Sequence, residues 1–144
     1  MTAFCDDFVT FLKAESTVTA LVGTGTSARI LQQDGLKQAS TLPAITFRQI
    51  DEEIVDYFGG RTSLRGATLE LTCYASTPTA RNTLSNIVLA ALDPTAGVQS
   101  FGTTTVTDIV TMSAGQDGDD VAVDGSDTRI YWKTSVFKIW YYAA

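Results

Sequence analysis

The stretch Leu64–Leu92, LRGATLELTCYASTPTARNTLSNIVLAAL, constrains the fold of this chain most. Ala67, Leu69, Leu71, Cys73 and Ala75 alternate with Thr68, Glu70, Thr72 and Tyr74. That period of two predicts a strand with one apolar and one mostly polar face. Thr77 is placed to cap a following helix, and Pro78 suits its first position, where the missing N–H would have no partner anyway. Ala80, Leu84, Ile87, Val88 and Ala91 then recur at helical spacing. Pro94 pushes Asp93 out of the helical region and ends the helix. Strand and helix each have one side to bury, and the simplest solution buries them against each other.

The remaining segments fall around this unit. Thr2–Leu12 predicts a helix with Thr2 as cap and Phe4, Phe8, Phe11 and Leu12 inward. Ser16–Val22 either continues it or starts a second short helix capped by Ser16. Ala28–Leu31 is a brief strand and Gln32–Thr41 a polar loop. Ala44–Ile50 alternates as a strand, with Ile45 and Phe47 on one side. Asp51–Arg61 is a loop or hairpin tip. In it Tyr57 and Phe58 either form a binding tip or fold back on the core. Ala96–Gly102 reads as a turn-rich connector. Thr103–Met112 is strand-like, with Val106, Val110 and Met112 on one face. Arg129–Tyr142, RIYWKTSVFKIWYY, is apolar on both faces: Ile130, Trp132, Val136 and Trp140 on one, Tyr131, Phe137, Ile139 and Tyr141 on the other. Such a strand is either central and covered on both sides, or half-covered by another subunit. The predicted class is α+β, an antiparallel β-sheet with helices packed on one face, in a single domain over residues 1–144. Its expected core is Phe8, Leu12, Phe47, Leu69, Leu71, Leu84, Ile87 and Val88.

Charge and chemistry narrow the function classes. The net charge of −6 comes from 16 acidic and 10 basic residues. Asp117, Asp119, Asp120, Asp124 and Asp127 crowd one predicted loop, residues 115–127, which holds no Lys or Arg. Removing those five from 16 leaves 11 acidic against 10 basic, so the body is nearly neutral. A nucleic-acid-binding surface would need a basic patch, and none is visible. No apolar run approaches membrane-spanning length, and the N-terminus lacks the basic region and apolar core of a signal peptide. Cys5 and Cys73 read as reduced core residues. The chain contains no histidine, which removes Ser-His and Cys-His nucleophiles. Phosphate-binding loops and nucleophile elbows are also missing. The acidic loop has the composition of a calcium site but fails the EF-hand spacing, because Val121 and Ala122 stand where a ligand and a glycine are needed. The expectation is no enzyme, no cofactor and no bound metal. A monomeric binding module with an acidic calcium loop is the alternative from a different class.

The order of segments carries a resemblance. ALVG at Ala20–Gly23 with Arg29-Ile30, LPAITFRQI at Leu42–Ile50, the strand-to-helix unit Cys73–Leu92 and the aromatic strand Tyr131–Tyr141 resemble the tail-terminator, or tail-completion, family of long-tailed bacteriophages. The similarity covers most of the chain and rests on order and spacing rather than on one motif; the Asp-rich insertion at 115–127 departs from it. The resemblance implies a structural virion protein of the tail or neck, assembled in the bacterial host cytoplasm. It implies a homo-hexameric ring that caps the tail tube, ends tube polymerisation and offers a junction to the head-side connector. The implied partners are the protein itself, the tail tube protein and the connector or stopper protein; DNA would pass through without specific binding. Another neck component, a stopper or adaptor, is the alternative in the same class. A closing ring needs two different patches that meet. The candidates are Tyr57, Phe58, Arg61 and Arg65 at the hairpin and Tyr131, Trp132 and Trp140 on the C-terminal strand. The acidic loop would sit at the lumen or the rim.

Overall fold

In the computed structural model, described for residues 3–25, 28–32, 42–57, 59–93, 100–101, 104–121 and 129–142, three helices lie against a six-stranded sheet. The elements are α1 (Ala3–Ala14), α2 (Ser16–Val22), β1 (Ile30–Gln32), β2 (Ala44–Tyr57), β3 (Gly60–Ala75), α3 (Pro78–Ala91), β4 (Ser100–Phe101), β5 (Thr104–Val121) and β6 (Arg129–Tyr142). The sheet order is β1-β2-β3-β6-β5-β4. All neighbours pair antiparallel except β1, which runs parallel to β2. The α+β expectation holds, with that one parallel edge strand added.

The central unit forms as its pattern requires. Ala67, Leu69, Leu71, Cys73 and Ala75 are all buried. The Thr77 hydroxyl accepts from the Ala80 N–H at 3.1 Å, and Pro78 opens α3. That cap is worth about 1 kcal/mol. Leu84 and Val88 bury α3's stripe on the sheet, while Ile87 is only partly buried at its margin. The other predicted core residues, Phe8, Leu12, Phe47, Leu69 and Leu71, are buried in the same cluster. At its centre Phe8 meets Phe47 edge-on at 5.1 Å and Phe101 at 5.5 Å. Phe4 stacks on Tyr141 at 4.2 Å. α2 is a separate helix, with Glu15 rather than Ser16 at its cap position. It stops at Gly23, whose φ of 95° favours glycine. The Arg29 guanidinium then donates to the carbonyls of Leu21 and Pro43 and ties the end of α2 to the start of β2.

The sheet corrects several expectations. β2 and β3 run well into the segment predicted as a loop or hairpin tip, so Asp51–Tyr57 and Gly60–Arg61 are strand and the tip is confined between Tyr57 and Gly60. β5 does not stop near Met112 but continues to Val121. The first half of the acidic segment is therefore a strand paired to β6, Asp117 opposite Lys133 and Asp119 opposite Tyr131. Polar residues can hold a strand when a strongly β-forming partner supplies the ladder. The predicted common face of Val106, Val110 and Met112 is also wrong. Register shifts follow Val106, Thr111 and Ala114, and each inserted residue turns the side chains that follow it to the other face. Val106 and Ile109 are buried, whereas Val110 and Met112 stand exposed. Thr2, the segments 33–41 and 94–99, Phe58, Asp124 and Asp127 lie outside the described residues.

Candidate interaction surface

The two faces of β6 differ. Ser135, Phe137, Ile139 and Tyr141 point into the core. Ile130, Trp132, Thr134, Val136, Lys138 and Trp140 occupy the alternate positions and are each half-buried. The register extends this second face across the sheet, since residues directly opposite share a face. Gly66, Thr68, Glu70, Thr72 and Tyr74 of β3 lie opposite Trp140, Lys138, Val136, Thr134 and Trp132.

Glycines set the posture of both tryptophans. A Cβ at Gly118 on β5 would come within 2.5 Å of the Trp132 ring. A Cβ at Gly66 on β3 would come within 2.9 Å of Trp140 and 3.0 Å of Lys138 Cε. Each ring therefore lies over a neighbouring strand where that strand has no side chain. Lys138 Nζ sits 4.6 Å from the Trp140 ring centre and pairs with Glu53. Arg48 pairs with Glu70 at 3.2 Å, and the Thr72 and Thr134 hydroxyls share a hydrogen bond of 3.1 Å. These long side chains lie flat, and their stems shield the backbone beneath. Thr46 and Thr68 are buried although they point away from the helices. The result is an aromatic, half-shielded surface crossed by ion pairs; its aromatic content, though not its Lys and Glu, is what is enriched where proteins meet.

The seven candidate interface residues do not form one patch. Trp132 and Trp140 share the open face, about 27 Å apart along an extended strand. Tyr131 and Arg65 have the opposite parity; Tyr131 lies opposite Ala75, and Arg65 lies opposite Tyr141. Tyr57 ends β2, and Arg61 lies opposite Asp56 on β3; their side chains, like Phe58, lie outside the described residues. The same holds for the side chains of Asp117, Asp119 and Asp120. Val136, Lys138, Glu53 and the two glycines were missed. Gly66 and Gly118 inside strand-like stretches were the signal that could have found the aromatic shelf.

Chemistry at the buried groups is quiet. Burial pushes the Cys73 thiol up to about 12 against the opposing pull of Lys133, so it stays protonated and unreactive. Burial also raises the Tyr141 hydroxyl above its ordinary range, helped by its hydrogen bond of 2.9 Å to Glu52. Among the described residues no group of three or more acidic, Cys or His side chains is placed to hold a metal.

No protein-family model matches this sequence, and no curated protein matches it. The fold is similar to that of a solved chain from the "Virion of native gene transfer agent (GTA) particle". The TM-score is 0.57 at 14% identity, over 94% of this chain and 92% of that one.

Proposed function

We propose that this chain is a structural protein of a phage-type virion and acts as a tail terminator. It would form a closed ring of about six copies that ends tube growth and presents a surface to the head-side connector. The observation that carries the reading is the likeness to the gene transfer agent virion chain over nearly the whole length of both. A role in assembly rather than catalysis also fits the open face. Trp132 and Trp140 lie half-buried on a sheet surface that the helices leave uncovered, and aromatic anchors of this kind dominate binding energy at interfaces. The segment 115–127, rich in aspartate and without Lys or Arg, would lie at the lumen or rim, where negative charge repels passing DNA rather than gripping it.

The test is to add the purified protein to polymerising tail tube protein of the same virion. The reading expects tubes of limited length with a ring at one end, seen by electron microscopy. Tubes that grow equally long with and without it, with bare ends, would contradict the terminator role. Binding to the connector but not to the tube would move the protein to the stopper position.

A further inference from the structure

The outer strands of the sheet, rather than the inner β3 and β6, carry most of the exposed large apolar side chains. Leu31 is on β1, Ile50 and Ile54 are on β2, and Val110 and Met112 are on β5. Among the described residues β1 covers β2 only along Ile45–Phe47, and β4 covers β5 only at Thr104 and Thr105. β5 contains no Lys, Arg or Pro, and β2 contains no Lys or Pro. Those are residues by which proteins keep strand edges from pairing with other chains.

The two edges match. On β2 the ladder runs straight from Asp51 to Ile54, between register shifts at Ile50 and Val55. On β5 it runs straight from Asp108 to Thr111, between shifts at Thr107 and Met112. Each straight segment carries one exposed aliphatic, Ile54 or Val110, and each adjoins a bulge that carries another, Ile50 or Met112. The segments also sit at one height. One row of opposed residues runs Asp51, Thr68, Lys138, Val110, and the next runs Glu53, Gly66, Trp140, Asp108. Strand direction alternates from β2 through β3 and β6 to β5, so a repeat of the unit sets β5 antiparallel to the next copy's β2. Where β1 widens that edge, at the height of Ala114–Asp117, β5 has its bulges at Met112 and Gly115 and can bend aside. Nearby acids are already engaged: Glu52 accepts from Tyr141 and Glu53 pairs with Lys138, while Asp51 accepts from the Glu52 N–H and Asp108 from the Ile109 N–H, each at 2.9 Å, local bonds that a joint between the segments would exchange for bonds between copies.

We infer that copies of this chain join edge to edge, the Asp108–Thr111 segment of β5 in one copy pairing with the Asp51–Ile54 segment of β2 in the next. Because the segments share one height, each junction adds no rise along the strands, which favours a closed ring over a filament. The inference rests on the ring reading and adds its joint.

The experiment compares the full chain with Val110→Asp and with Ile54→Asp by light scattering, with thermal unfolding as the fold control. Both side chains are exposed, so the monomer should stay folded, and either substitution sets a like charge against the acids of the facing edge and should weaken association about tenfold or more. A second arm mixes Ile50→Cys with Met112→Cys and treats the assembly with a short bis-maleimide; the native cysteines are buried. The expected product is a heterologous dimer band that neither variant gives alone. Rings that form normally in both variants and give no cross-link overturn the edge joint and leave the ring reading standing. Cross-linked open chains uphold the joint and overturn the ring. Met112→Cys linking to itself overturns the pairing with β2. A chain that stays monomeric at all concentrations, alone and on tubes, overturns both.

Discussion

Along β6, successive residues meet different environments. Phe137 and Ile139 are fully enclosed by α1, α3 and the flanking strands, and Tyr141 is stacked beneath Phe4. Their neighbours Val136, Lys138 and Trp140 lie on the side without a described helix and are partly exposed, with the Lys138 and Trp140 side chains packed over Gly66. The closed face has every feature of a domain core: aromatic edges, enclosed aliphatics and no buried unsatisfied side-chain atom among the described residues. The open face also holds large apolar side chains, Trp132, Val136 and Trp140, but leaves each of them partly exposed. An apolar strand thus has two separate uses, and hydrophobicity alone does not tell which face does which. Burial on the first face makes the fold, whereas surface left on the second is available for another chain.

The largest expected effect is on the closed face. Phe137→Ala should cost about 3–5 kcal/mol of unfolding free energy, read from the denaturant midpoint. Trp132→Ala, on the open face of the same strand, should cost the monomer less, about 1–2 kcal/mol, because the ring is only partly buried to begin with. Equal costs would erase the distinction between the faces. Tyr141→Phe should cost about 1 kcal/mol at neutral pH, since the hydroxyl loses its bond to Glu52 but leaves that carboxylate near water.

Tyr141 also adds a pH signature. Its folded pKa is raised above the ordinary value, and the unfolded phenol ionises near pH 10. The associated stability is therefore complete below about pH 10 and is lost as pH rises toward the folded value. In an alkaline absorbance titration one tyrosine should ionise late, together with unfolding, and Tyr141→Phe should abolish that phase. The smallest effect is expected at Lys138→Ala, where the partly exposed pair with Glu53 and the contact with Trp140 together contribute about 1 kcal/mol or less. A much larger loss there would mean that the open face is itself a core.

The sequence revealed the closed face better than the open one, for a physical reason. Periodicity reports burial, so Leu69, Leu71, Leu84 and Val88 could be placed from spacing, and Thr77-Pro78 marked the helix start through the chemistry of free N–H groups. β5 was misread because its bulges break the period that the reading depends on, and they reverse the predicted faces of Val110 and Met112. Its acidic half was read as a loop because aspartate has low strand propensity; the partner β6 supplies what β5 lacks. The tryptophans were singled out, but the glycines beneath them were not, since which residues lie opposite depends on register and not on spacing within one strand.

On the ring reading, the open edges of β2 and β5 are occupied by other copies of this chain, and the open face is left for the tube or the connector. The most direct measurement is the mass of the purified chain by light scattering over a wide concentration range, repeated with tail tubes present and imaged. We expect a discrete closed ring of about six copies, formed in solution or on the tube end, and its loss when the two edges carry Ile54→Asp and Val110→Asp while the monomer still unfolds cooperatively. A strict monomer under every condition, with bare tube ends, would contradict it.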